Sequence, residues 1–178
     1  MIDEQLLRAV MCRFCLPREG LHGPSHWARV LENGLRLARS VNVDRKVLEL
    51  FALLHDSQRI CDGLDRDHGK RAAEFAWNLR ASLGLDDGKF KLLYVALAGH
   101  DEAQPDPEDD TVRVCWDAER LDLARLGITP RPACLFTEVA RDPETIVWAC
   151  ERSRMGIVPA DVFTAWKLEN QADQAAAR

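Results

Sequence analysis

Five histidines, His22, His26, His55, His68 and His100, are the groups in this chain best suited to bind a metal or carry a proton near neutral pH. His55 is followed directly by Asp56. The pair ends a strongly apolar run, Val47-Leu-Glu-Leu-Phe-Ala-Leu-Leu54. An apolar helix normally keeps its last turn apolar or ends in solvent, so this pair sets two ligands at the edge of a core. Imidazole and carboxylate together suit a borderline divalent cation such as Mn, Fe, Co, Ni or Zn. Adjacent helical residues point about 100° apart, so they share one ion only near a helix end. His26 falls in the first turn of an earlier helix, within Ser25-His-Trp-Ala-Arg-Val30. Asp117 sits mid-helix between Trp116 and Ala118, where burial is expected. A buried carboxylate needs a partner, and an ion would serve.

The elements that position these groups read as helices. Leu and Ala, at 23 and 22 residues, far outnumber Val, Ile and Thr, at 22 together. No clean period-two run appears. Helices are expected over 3–15, 24–40, 44–57, 67–83, 86–100, 111–126, 132–140 and 143–155, with a last one opening at Pro159 and a fraying tail over 171–178. Asp44 and Pro24 are start signals; Gly84 and Gly127 are stop signals. The fold class is therefore all-α. It is one domain spanning 1–178, of about eight helices, with a motif-bearing core over about 20–130 and a helical elaboration over about 131–178.

The 178 residues carry a net charge of −5, which disfavours binding to long nucleic acids by charge alone. No membrane span is expected, and an acidic start reads as cytoplasmic. The six cysteines read as reduced thiols. Cys12 and Cys15 form half of a zinc motif with no second pair. The acidic stretch 105–110 reads as a solvated connection that caps the next helix.

These residues, in this order, resemble the HD-domain superfamily of metal-dependent phosphohydrolases. That family has a His on one helix, a later His-Asp pair and a distant Asp. His26, His55-Asp56 and Asp117 match. So does their context: His-Trp-Ala-Arg-Val, Ala52-Leu-Leu-His-Asp-Ser-Gln-Arg59 and Trp116-Asp-Ala-Glu-Arg-Leu-Asp122. The likeness is to small bacterial members without a settled substrate. It implies one divalent ion (Mn, Fe, Co, Ni or Zn, with Mg also compatible) on His26, His55, Asp56 and Asp117. A second ion, or a substrate contact, would fall to His68 and His100, because two-metal members place extra histidines in that order. Both imidazoles are then expected to face the His55-Asp56 pair. The family's Gly-Lys after the pair is Gln58-Arg59 here. Arg59 is the expected phosphate contact, with Lys70 the weaker candidate; His22 belongs at the pocket rim or surface. The implied activity is hydrolysis of a phosphomonoester or phosphodiester of a nucleotide or related small metabolite. The alternative is a metal- and nucleotide-binding sensing module without turnover.

Overall fold

A computed structural model describes residues 2–101 and 106–166, apart from the side chains of residues 163 and 165. Every regular element among its described residues is a helix, with no strand. The helices are α1 (Glu4–Arg13), α2 (Pro24–Leu37), α3 (Arg45–Leu54), α4 (His68–Asn78), α5 (Arg80–Leu83), α6 (Asp87–Gly99), α7 (Asp110–Arg120), α8 (Glu138–Arg141), α9 (Pro143–Arg154) and α10 (Ala160–Ala165). Two 3₁₀ turns, Leu123–Leu126 and Pro132–Cys134, lie between α7 and α8. No helix among the described residues is long and apolar enough to cross a membrane. The expected tail over 171–178 lies outside them.

The central element is α3. The Asp44 side chain starts it by accepting from the amides of Lys46 and Val47. Val47, Leu48 and every residue from Leu50 to Leu54 are buried, because α2, α6 and α7 pack around the helix. An apolar helix covered on all sides needs no polar face. Its C-terminal end is thereby fixed inside the protein, and His55 is its C-cap.

Three expected helices are shorter than the local pattern implies. The 111–126 segment breaks after Arg120, and Asp122 (φ −92°, ψ 6°) turns the chain into a 3₁₀ turn. The 132–140 segment divides into a 3₁₀ turn and α8, because the amides of Phe136 and Thr137 donate to the Asp117 carboxylate. The 67–83 segment divides at Leu79. Trp27 is fully buried, and its Nε1 donates to the His22 carbonyl, so it is a core residue.

Helices α4 and α6 run antiparallel: His68 opens α4 beside His100 at the end of α6, and Trp77 meets Phe90 at the other end. Gly69 permits the close approach at the histidine end. A Cβ there would stand 2.7 Å from the Leu97 carbonyl oxygen and 3.2 Å from His100 Nδ1. Backbone cannot swing aside as a side-chain tip can, so overpacking here separates the helices. Gly69→Ala is expected to lower stability by about 1–2 kcal/mol, even against the roughly 1 kcal/mol that Ala gains over Gly in a helix. Thermal unfolding measures this; an unchanged or higher Tm would show that the α4–α6 spacing is not tight.

Candidate metal centre

The centre is built from four imidazoles whose Nδ1 atoms are already used. His26 Nδ1 donates to Asp122 Oδ2 at 2.7 Å. His55 Nδ1 reaches the carbonyls of Ala52 at 3.0 Å and Phe51 at 3.2 Å. His68 Nδ1 donates to the Asp65 carbonyl, and His100 Nδ1 to that of Leu97. Carbonyls and carboxylates only accept, so each Nδ1 carries the hydrogen and each Nε2 is left with a lone pair.

Those lone pairs face one another. His26 Nε2 and His55 Nε2 are 3.0 Å apart; His68 Nε2 and His100 Nε2 are 2.9 Å apart. Two lone pairs at that distance repel unless a cation lies between them or beside both. Asp56 stands between the two pairs and divides its oxygens. Oδ2 is 3.4 Å from His26 Nε2 and 3.8 Å from His55 Nε2; Oδ1 is 3.2 Å from His68 Nε2 and 3.8 Å from His100 Nε2. Two compact donor groups result, His26–His55–Asp56 and Asp56–His68–His100, every member buried.

This donor set fits divalent metal ions. Burial holds the His55 imidazole well below its ordinary pKa, against the attraction of Asp56, so it stays neutral, as a ligand must. The carboxyl of Asp56 lies well below the usual range; burial opposes this, and the imidazoles of His55, His100, His26 and His68 overcome it. His100 shifts upward: burial opposes the shift, and the bond and charge of Asp56 outweigh it. A cation already approaches the second group. Arg59 Nη1 lies 3.2 Å from His68 Nε2 and 3.6 Å from Asp56 Oδ1. A guanidinium drawn to a lone pair and a carboxylate marks where positive charge is wanted.

The sequence-based ligand set needs one correction. Asp117 is buried but does not join the cluster. Its Oδ1 accepts from the Phe136 amide, and its Oδ2 accepts from the Thr137 amide and hydroxyl, at 2.7–2.8 Å. Burial pushes its carboxyl upward despite these donors. The partner its burial demanded is a chain turn, not an ion. Residues two apart on a helix point about 200° apart, so the α7 carboxylate lining the cavity is Glu119, beside Asp56, His68 and His100. Lys70 stays at the surface, 3.8 Å from Asp67, and does not line the cavity. Arg59 does line it, and so does His22, whose Nδ1 pairs with Asp62 at 2.8 Å. Four cysteines, Cys12 and Cys15 among them, are exposed; all six are free thiols.

Asp122 is the residue that sequence reasoning missed. One oxygen accepts from His26 Nδ1 and the other from Arg29 Nε, each at 2.7 Å. It thereby fixes the tautomer and direction of His26. Burial opposes its ionisation, yet the bonds from His26 and Arg29 bring its pKa to about 2. Only its spacing from Asp117 in Asp-Ala-Glu-Arg-Leu-Asp could have signalled it.

Two substitutions separate these roles. Asp117→Ala strands three donors and is expected to cost about 2–4 kcal/mol, with bound metal retained. Metal loss in a folded Asp117→Ala protein, by elemental analysis, would restore Asp117 as a ligand. Asp122→Asn is expected to weaken metal binding by about 10- to 100-fold, because His26 loses its anionic orienter. Its pH signature follows from the depressed pKa. The stabilisation, on the order of 2 kcal/mol, is complete above the unfolded value near 3.8 and lost as pH falls toward 2. Wild-type stability therefore falls more steeply than that of Asp122→Asn between pH 4 and 2, and parallel curves would remove Asp122 from this role.

A scan against protein-family models and a search of curated proteins each found no match. Among solved structures, the chain is similar to a predicted HD superfamily hydrolase from an uncultured Thermotogales bacterium. The two share 25% sequence identity over 91% of each chain, with a TM-score of 0.64. The likeness extends over nearly the whole of both chains, so this chain shares the fold of that predicted HD superfamily hydrolase and is similar to it.

Proposed function

We propose that this protein is a metal-dependent phosphohydrolase acting on a phosphoric ester of a small metabolite, nucleotides included. The observation that carries the reading is Asp56, which offers one oxygen to each of two facing imidazole pairs beside an arginine in an open cavity. Divalent ions, when bound, supply Lewis acidity toward a phosphoryl oxygen and a water acidified to near neutral pH.

The chain's own residues do the rest. His26, His55 and Asp56 Oδ2 would hold one ion; His68, His100 and Asp56 Oδ1 would hold the other. The carbonyls of Phe51, Ala52, Asp65 and Leu97 keep each imidazole in the ligand tautomer. Arg59 is anchored by donating to the carbonyls of Gly63 at 2.9 Å and Cys61 at 3.4 Å. Its Nη1 remains free to leave His68 for the phosphoryl oxygens and to offset charge that grows on them during transfer. Arg125 lines the same cavity and adds positive field. The cavity measures about 420 Å³, a volume suited to a small metabolite and not to a polymer.

The test is turnover of a panel of phosphomonoesters and phosphodiesters by protein loaded in turn with Mn²⁺, Fe²⁺, Co²⁺, Ni²⁺, Zn²⁺ and Mg²⁺. Hydrolysis is expected with at least one transition metal, and Asp56→Asn should abolish it. Arg59→Ala should lower kcat/KM by about tenfold or more, roughly 1.4 kcal/mol of transition-state interaction, while metal content holds. Metal bound by the wild type with no ester turned over would make the protein a sensing module instead.

A further inference from the structure

Helix α6 is apolar all round, yet only part of it is covered by the described residues. Its stretch Leu92-Leu-Tyr-Val-Ala-Leu-Ala-Gly99 carries no charge. Phe90, Leu93, Ala96 and Leu97 are buried, where α3, α4 and α7 pack against the helix. Tyr94 and Val95, on the other side, are 37% and 42% exposed. A helix that turns one side to water normally carries polar residues there. The equally apolar α3 is enclosed by its neighbours, and α6 is left half open.

Between this side of α6 and α4 runs an open groove of about 700 Å³, lined by Trp77, Phe90 and Tyr94 together with Glu74 and Lys91. It shares no lining residue with the metal cavity. At 1.5 Å per residue, Trp77 and Phe90 lie about 14–15 Å along their helices from His68 and His100. Trp77 is 57% exposed, but it is held in place. Arg80 Cζ lies 5.2 Å from the centre of its ring and 4.7 Å from that of Phe90, and the same guanidinium donates to Asp87. Trp and Tyr are enriched where proteins meet, and a ring already fixed loses little freedom on association.

We propose that this face joins two copies of the chain, α4 of each lying on α6 of the other about a twofold axis along the groove. Charge complementarity selects this occupant. The side chains of Glu74 and Lys91 have no hydrogen-bond or ion-pair partner among the described residues. Trp77 and Phe90 are in ring contact, 5.7 Å between centres, and so mark one level of the antiparallel helix pair. Glu74 lies three residues from Trp77 and Lys91 one residue from Phe90, both toward the histidine end. The two therefore differ in level by about 3 Å along the helices. A twofold axis along the groove keeps the level of each residue and exchanges its helix. Each Glu74 then meets Lys91 of the second copy, and the contact forms twice. A face whose acid and base exchange places under its own twofold axis is complementary to itself, while its rings and Val95 lose their exposure.

The test is sedimentation equilibrium on the full chain from about 1 to about 200 μM. A particle of about 40 kDa, twice the 20.1 kDa of the chain, is expected. Tyr94→Glu with Val95→Glu should yield a monomer of unchanged helicity by circular dichroism, since both side chains are exposed. Glu74→Lys or Lys91→Glu alone should raise the dissociation constant by about tenfold, because symmetry counts each like-charge contact twice. The two reversals together should restore the wild-type constant, an outcome that only pairing of this face with itself produces. A monomer at every concentration leaves the face to a different occupant and overturns the proposal. So does a dimer untouched by the changes at Tyr94 and Val95, or a double reversal no tighter than the single ones.

Discussion

Two imidazole nitrogens with lone pairs toward each other cannot rest at 3.0 Å without positive charge nearby. This constraint organises the protein, and it occurs twice around one carboxylate. Each lone pair is exposed to its opposite because the other ring nitrogen is committed to a fixed acceptor. The acceptors differ in strength. Three rings use backbone carbonyls, those of His55 and His100 in the last turns of α3 and α6, where carbonyls lack intrahelical partners, and that of His68 at Asp65 just ahead of α4. The fourth uses the Asp122 carboxylate, itself held by Arg29. Orphan carbonyls at the ends of α3 and α6 are thus satisfied by the same rings that form the centre, so helix termination and ligand orientation are one arrangement.

Burying so much polarity is costly, since moving charged groups out of water carries several kcal/mol each. The chain meets much of that cost by pairing: among the described residues every buried side-chain nitrogen and oxygen has a polar neighbour within hydrogen-bond distance, and at the two histidine pairs that neighbour is the opposing Nε2. The apolar helix α3 sets the depth of the centre, and Gly69 sets the distance between its second pair of rings. Stability and ligand geometry therefore depend on the same contacts, and a bound ion would add to both, because it binds only the folded form.

Local signals made the helices legible. Asp3, Asp44, Asp86 and Asp109 each cap a helix by accepting backbone amides, and Gly84 and Gly127 take the left-handed conformation at helix ends. His26, His55, Asp56, His68 and His100 were legible because imidazoles at apolar helix ends are unusual and their order matched a family. The interruptions at Asp122 and at Phe136–Thr137 were not. Each depends on a bond between residues far apart in sequence, 96 for His26–Asp122 and 20 for Thr137–Asp117, and no window of helix propensity contains such a term.

The exchange of roles along α7 shows why a motif can locate a helix and still misassign its side chains. Burial correctly marked Asp117 as a carboxylate in need of donors, but amides and an ion both meet that need. What separates them is direction. Asp117, Glu119 and Asp122 leave the helix on different sides, toward the 136–137 turn, the cavity and His26 respectively. The same short segment thus braces a neighbouring loop, adds negative charge beside His100 and steers the His26 imidazole. An acidic chain can keep positive charge in a cavity among such groups because their own charge is spent inward. Arg29 and His26 absorb that of Asp122, amides and a hydroxyl absorb that of Asp117, and the imidazole cluster absorbs that of Asp56. The field in the cavity is then set by Arg59, Arg125 and the ions the centre would hold, and not by the net charge of the protein.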